Sequence, residues 1–256
     1  MAEKLTYPLV RERNLIITLL LVLAAASWVI LIWQSTRSDK MAMGFTMGSG
    51  APLFLGVWVV MMVATMFPAE APMVLMFARV YAAKREQGKP FVPTWIFVSS
   101  YLVSWSLFGV LAYGVALVAD VMVMQSMWLM SNTSFLGGVL IVLAGLFQLS
   151  PLKNACLSKC RSPLNFLLNS WRDGYVGCFR MGFEHGLFCI GCCWALMIIL
   201  FPLGMLNVGA MAAVALLIFV EKTVPIGNWI VKVGAAVLIL YGMLVIFVPG
   251  MLPTMV

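Results

Sequence analysis

Leu15–Trp33 reads LIITLLLVLAAASWVILIW, nineteen residues without a charge. As an α-helix rising about 1.5 Å per residue it covers roughly 28 Å, close to the hydrocarbon thickness of a bilayer. The run is longer than the apolar core of a secretory leader, so it is expected to remain on the chain as a first membrane span. Lys4, Arg11 and Arg13 precede it.

The rest of the chain extends the pattern. Hydrophobic residues make up 63% of 256 residues, charged residues 10%, and the mean hydropathy is +1.05. A soluble domain does not need that much apolar surface. The expected fold is an all-α polytopic membrane protein, one integral membrane domain over 1–256 with about seven transmembrane helices. The spans fall near 15–34, 52–78, 93–118, 134–150, 183–204, 208–225 and 230–250. With a cytoplasmic N-terminus and an outer C-terminus, 14 of the 16 Lys and Arg residues fall on the inner side, leaving only Arg37 and Lys40 outside. That bias sets the expected orientation. It also accounts for the net charge of +7 without a nucleic-acid partner, because the basic residues sit in short connections between spans. The partner implied first is the lipid bilayer.

The chemistry concentrates in CFRMGFEHGLFCIGCCW, Cys178–Trp194, which holds the single histidine and four of the six cysteines. At about 100° per residue, with Cys178 at zero, Met181 lies near −60°, His185 near −20°, Cys189 near +20°, Cys192 near −40° and Cys193 near +60°. Thiols, an imidazole and a thioether on one stripe make a soft-metal ladder, suited first to Cu(I) and second to Zn. Cysteine is also an ordinary small residue in packed helices, where buried thiols are inert, so packing is the competing reading.

Other residues join the ladder by position. Glu70, Met66 and their neighbours lie on one face of the second span, and Pro68 and Pro72 bracket the glutamate. Prolines in a spanning helix free carbonyls and are tolerated where a cavity or neighbour satisfies them. An ionisable residue at membrane depth is a functional candidate. Glu70, Gln148, His185 and Glu221 are expected at one depth from four spans, forming with Met66 and Glu184 a shared polar pocket. Cys156 and Cys160, an i, i+4 pair in CLSKC, lie in a basic amphipathic segment, 153–180, expected on the cytoplasmic side and able to lie along the bilayer surface. Gly182 and Gly186 are spaced to admit a close neighbouring helix. The lysines and arginines of the connecting segments are read as topology determinants.

On the expected outer side lie two methionine clusters, Met41, Met43 and Met47, then Met122, Met124, Met127 and Met130. Thioethers tolerate an oxidising compartment and thiols persist in a reducing one, so the split suits capture of Cu(I) outside and binding further in. For any single Met, flexible apolar filling is the simpler account.

The segments VVMMVATMFPAEAPMVLMFARV (59–80), LSPLKNACLSKCRSPLNFLL (149–168), GFEHGLFCIGCCWALM (182–197) and FVEKTVPIG (219–227) resemble a bacterial family of predicted metal-binding integral membrane proteins. The resemblance covers nearly everything from the second span onward, with GCCW and PLKxxCLxxC as its specific blocks. It implies metal binding in the bacterial inner membrane, copper first, and an accessory role supplying metal to a copper enzyme. The positions it implicates are Glu70, Cys156, Cys160, His185, Cys189, Cys192, Cys193 and Glu221. It supplies no catalytic mechanism.

Three functions follow as alternatives. The first is Cu(I) binding, transport or delivery to a copper enzyme or periplasmic copper protein. The second is a non-catalytic subunit of a membrane oxidase or monooxygenase complex. One histidine is too few for an independent dicopper oxygen site or for bis-His haem. The third is a membrane thiol redox protein, with Cys189 and Cys192 as a CxxC-like pair. No phosphate-binding GxxxxGK[ST] loop is present, which argues against ATP-driven pumping by this chain. The balance of expectation is a non-enzyme.

Overall fold

The computed structural model describes residues 2–37, 46, 50–86, 92–224 and 229–252. Eleven α-helices are found among them and no strand. They are α1 (Ala2–Arg37), α2 (Ala51–Glu86), α3 (Thr94–Gln125), α4 (Met127–Ser131), α5 (Thr133–Gln148), α6 (Pro151–Arg161), α7 (Pro163–Ser170), α8 (Gly174–Ile198), α9 (Leu200–Leu203), α10 (Val208–Thr223) and α11 (Trp229–Phe247).

Among the described residues five helices are long and apolar enough to cross a bilayer: Val10–Arg37, Ala51–Lys84, Thr94–Gln125, Gly174–Leu203 and Trp229–Phe247. They match the first, second, third, fifth and seventh expected spans. The fourth and sixth expected spans are helices of 16 residues each, α5 and α10. Sixteen residues reach about 24 Å, short of a roughly 30 Å hydrocarbon core. α5 attains crossing length only together with α6, from which it is bent by 63°. The bend has a local cause. Ser150 caps α6 by accepting a hydrogen bond from the Lys153 N–H at 3.1 Å, and Pro151 occupies the first turn, where its missing N–H costs nothing.

The outward faces are apolar. Leu15, Val22 and Val29 on α1, Leu111 and Val115 on α3, and Val237 and Leu240 on α11 are each more than half exposed. Apolar surface on this scale is compatible with a lipid surround and costly in water.

Between helices, small residues set the spacing. A Cβ on Gly138 of α5 would stand 2.9 Å from the Gly242 carbonyl oxygen of α11, and one on Gly242 would stand 2.8 Å from the Gly138 carbonyl oxygen. These two helices meet backbone to backbone, the small-residue packing that operates where apolar burial gives no drive. The Gly182/Gly186 pair does the same for α8 against α3. A Cβ on Gly186 would come within 2.5 Å of the Ser104 hydroxyl, and that hydroxyl donates to the Phe183 carbonyl at 3.1 Å.

α2 stays helical through Pro68 and Pro72. Pro68 cannot donate to the carbonyl four residues earlier, that of Ala64. The Trp28 indole N–H, from α1, donates to that oxygen at 3.1 Å instead. The proline frees an acceptor, and the neighbouring helix is pinned to it.

Candidate metal centre

The sulfur and imidazole stripe of α8 is buried along its whole length, but it runs through two different environments. At its N-terminal end Cys178 and Met181 pack among Phe77, Phe97 and Phe166 in an aromatic cluster. His185 follows, fully buried, with its ring stacked at 6.0 Å from both Phe97 and Tyr101 and edge-on to Phe166 at 5.1 Å. Beyond it Cys189, Cys192 and Cys193 enter the main core, which also contains Met61, Met62, Met66 and Met197.

Glu70, from α2, meets His185 there. The imidazole Nε2 lies 2.5 Å from Glu70 Oε2. A carboxylate only accepts, so Nε2 is the donor, and in the neutral imidazole Nδ1 then has a free lone pair. Nδ1 is buried and has no hydrogen-bond partner among the described residues. A carboxylate orienting one imidazole nitrogen while the other is left bare is the support that metal-binding histidines commonly have.

Lys222, at the end of α10, forms an ion pair with Glu70 Oε1, and the same ammonium donates to Cys189 Sγ at 3.0 Å. Tyr101 of α3 places its hydroxyl 3.1 Å from Cys189 Sγ. Four helices thus supply one connected network of imidazole, carboxylate, ammonium, thiol and phenol. Buried charges persist only with partners of this kind.

The remaining thiols come from α6, which packs along α8. Cys160 Sγ is 4.0 Å from Cys192 Sγ, and Cys192 Sγ is 3.2 Å from Cys193 Sγ. Cys192 also donates its S–H to the Cys189 carbonyl at 3.2 Å. Cys156 is half-buried beside Gly191, where a Cβ would stand 2.6 Å from its sulfur. Five thiols therefore converge where α6 crosses α8, all of them free. Cys178 lies apart from them. A soft ion holding two thiolates at about 2.3 Å each sets their sulfurs between roughly 3.7 Å for a tetrahedral angle and 4.6 Å for a linear one. The Cys160–Cys192 separation falls in that window, so the donor set fits a thiolate-bound ion. Among the described residues no three His, Cys, Asp or Glu side chains already stand as a complete metal-binding group.

The expected single polar pocket is two clusters. Glu70 and His185 belong to the first. Gln148 and Glu221 belong to the second, where Lys153 of α6 pairs with Glu221 Oε2 at 2.7 Å and donates to Gln148 Oε1. Arg161 adds a hydrogen bond from Nε to the Glu221 carbonyl at 2.6 Å. Met66 is buried in the main core on α2. Glu184 is in neither cluster: it faces outward and pairs with Arg172 and Arg180, each at 3.2 Å. Segment 153–180 is enclosed in its first half, since Lys153, Leu157, Cys160, Phe166 and Leu167 are buried.

Lys153 and Lys222 are the functional candidates that sequence reasoning misses, since both read as loop charges that set topology. A signal existed. Lys222 ends a short apolar helix directly after a glutamate, and Lys153 stands within two residues of a helix-starting proline beside the CLSKC thiols.

On the other end of the molecule Met122, Met124, Met127 and Met130 are 57–88% exposed at the close of α3 and in α4. Met41, Met43 and Met47 lie outside the described residues. Their neighbour Thr46 donates from its N–H and its hydroxyl to Asp120 Oδ2, at 3.0 and 2.7 Å, two residues before Met122.

A family model described as a copper chaperone, PpoB2, matches residues 55–245. The match spans most of the chain, including every thiol and both buried lysines, and the chain belongs to that family. No curated protein and no solved structure matches it.

Proposed function

We propose that this copper chaperone family member is an integral protein of the bacterial inner membrane that binds Cu(I) on the α6–α8 thiols and passes it to a copper enzyme or periplasmic copper protein. The observation that carries the reading is the meeting of Cys160 and Cys192 at 4.0 Å beside Cys189, Cys193 and the Glu70-supported His185. Thiolates select Cu(I), and a mixed Cys, His and Met environment lets the ion leave again by ligand exchange. Zinc is the second ion such donors accept.

In this reading the N-terminus is cytoplasmic and the C-terminus is outside. The five long helices cross, and α5 with α6, and the short α10, complete seven passes within a protein-lined interior. Short or broken helices are tolerated at membrane depth where protein surrounds them. Cu(I) is captured outside by the methionines of α3 and α4, and by Met41, Met43 and Met47. Cys156 offers the ion a further sulfur at the edge of the centre. Cys178 and Met181 extend the donor stripe toward the cytoplasmic end.

The test is an anaerobic Cu(I) titration of the detergent-purified full chain against a competing chelator. Near-stoichiometric binding that is lost in Cys160→Ser/Cys192→Ser supports the assignment. Equal binding in both proteins refutes it.

A further inference from the structure

We propose that Lys222 is a specificity-determining residue, making the centre prefer a monovalent soft cation over a divalent one. The inference rests on the reading of the α6–α8 thiols as a cation site and adds to it which charge state the site accepts.

A lysine in contact with a metal-binding thiol has no ligand role, because an ammonium offers three donors and no acceptor. Lys222 nevertheless stands 3.0 Å from Cys189 Sγ, buried and held there by Glu70. The groups that interact with its charge are Glu70 from α2, Tyr101 from α3, Cys160 from α6, and Cys189 and Cys193 from α8, while His185 shares the Glu70 carboxylate with it. The other acid at the end of α10, Glu221, is engaged by Lys153. The ammonium touches the sulfur itself, whereas Glu70 contacts the ammonium and the imidazole. A cation that binds Cys189 therefore meets an ammonium in direct contact with the sulfur, whose counter-charge on Glu70 lies one contact further away.

That repulsion is proportional to the charge of the entering ion and is weakly screened in a buried site. If Lys222 reduces Cu(I) affinity by some factor, it reduces Zn(II) affinity by about the square of that factor. Thiolates alone bind both ions well. The ammonium supplies the discrimination the sulfur donors lack.

Cu(I) and Zn(II) affinities, each measured by chelator competition on the full chain in detergent, test this in four proteins. Lys222→Met is expected to raise Cu(I) affinity on the order of tenfold and Zn(II) affinity on the order of a hundredfold, narrowing the preference. Lys222→Arg keeps the charge and is expected to keep the wild-type ratio. Glu70→Gln leaves the ammonium uncompensated and is expected to weaken both ions, Zn(II) more than Cu(I). These opposite signs separate charge from folding, because a purely structural lysine would give losses for both ions in both Lys222→Met and Glu70→Gln. A Cu(I)/Zn(II) ratio unchanged by Lys222→Met, in a protein that binds Cu(I), overturns this inference alone. Wild-type protein that binds neither ion overturns the cation site along with it.

Discussion

Lys153 of α6 and Glu221 of α10 form an ion pair at 2.7 Å with both side chains almost wholly removed from the surface. The pair does not touch the thiols, yet it sits on the two elements that bring Cys160 and Lys222 to α8. It is the bolt that fixes the short helices onto the long ones.

Removing one partner leaves the other buried and uncompensated, which costs about 3–5 kcal/mol. Lys153→Met is therefore expected to lower the thermal midpoint sharply in detergent. Lys153→Met/Glu221→Gln is expected to recover much of the loss. Thermal unfolding followed by cysteine labelling checks both. A double variant as unstable as the single one would show that the pair's attraction is not what Lys153 contributes.

Trp28 and Pro68 make a second coupled pair through the Ala64 carbonyl. Trp28→Phe keeps most of the ring and removes the donor, leaving that carbonyl unsatisfied at a cost of about 1–3 kcal/mol. In a Pro68→Ala background the helix supplies its own N–H, so the same substitution is expected to cost markedly less. A double-mutant cycle on thermal stability measures the difference.

Gly191→Ala tests the position of α6 without altering a donor. The added methyl would stand 2.6 Å from Cys156 Sγ, so the sulfur must turn away. Cu(I) affinity is expected to fall by several-fold with little change in stability, since a cysteine side chain gives way at small cost. Unchanged affinity would take Cys156 out of the donor set.

The methionines at the close of α3 and in α4 are tested together. Replacing Met122, Met124, Met127 and Met130 with Leu keeps size and apolarity and removes the thioethers. Equilibrium Cu(I) affinity of the inner centre is expected to stay the same while the rate of loading in proteoliposomes falls. A loading rate equal to wild type would return these residues to lipid contact.

Much of this architecture could be read in the sequence, and the misses at the site share a cause. Leu15–Trp33 announces a span because an uncharged run of that length has few other uses, and five such helices appear where expected. The α8 stripe was equally readable, since helical periodicity alone puts His185, Cys189 and Cys192 on one face. What local pattern could not show was which distant side chain compensates a charge. Lys153 and Lys222 look like loop lysines until Glu221 and Glu70 are seen beside them. The same blindness placed Glu184 in the pocket, when Arg172 and Arg180 hold it at the surface. The lengths of α5 and α10 were overestimated for another reason. Apolar residues continue past each helix end, and only the Ser150–Pro151 cap and the extended Val224 mark where the helices stop.

In the proposed function copper sits on the thiols of α6 and α8. Metal content of the detergent-purified full chain, measured by mass spectrometry beside Cys189→Ser/Cys192→Ser, tests it most directly. Close to one copper per chain is expected in the wild type and little in the variant, with both proteins recovered from the membrane. Equal copper in the two, or no copper in either after growth with the metal, would contradict it.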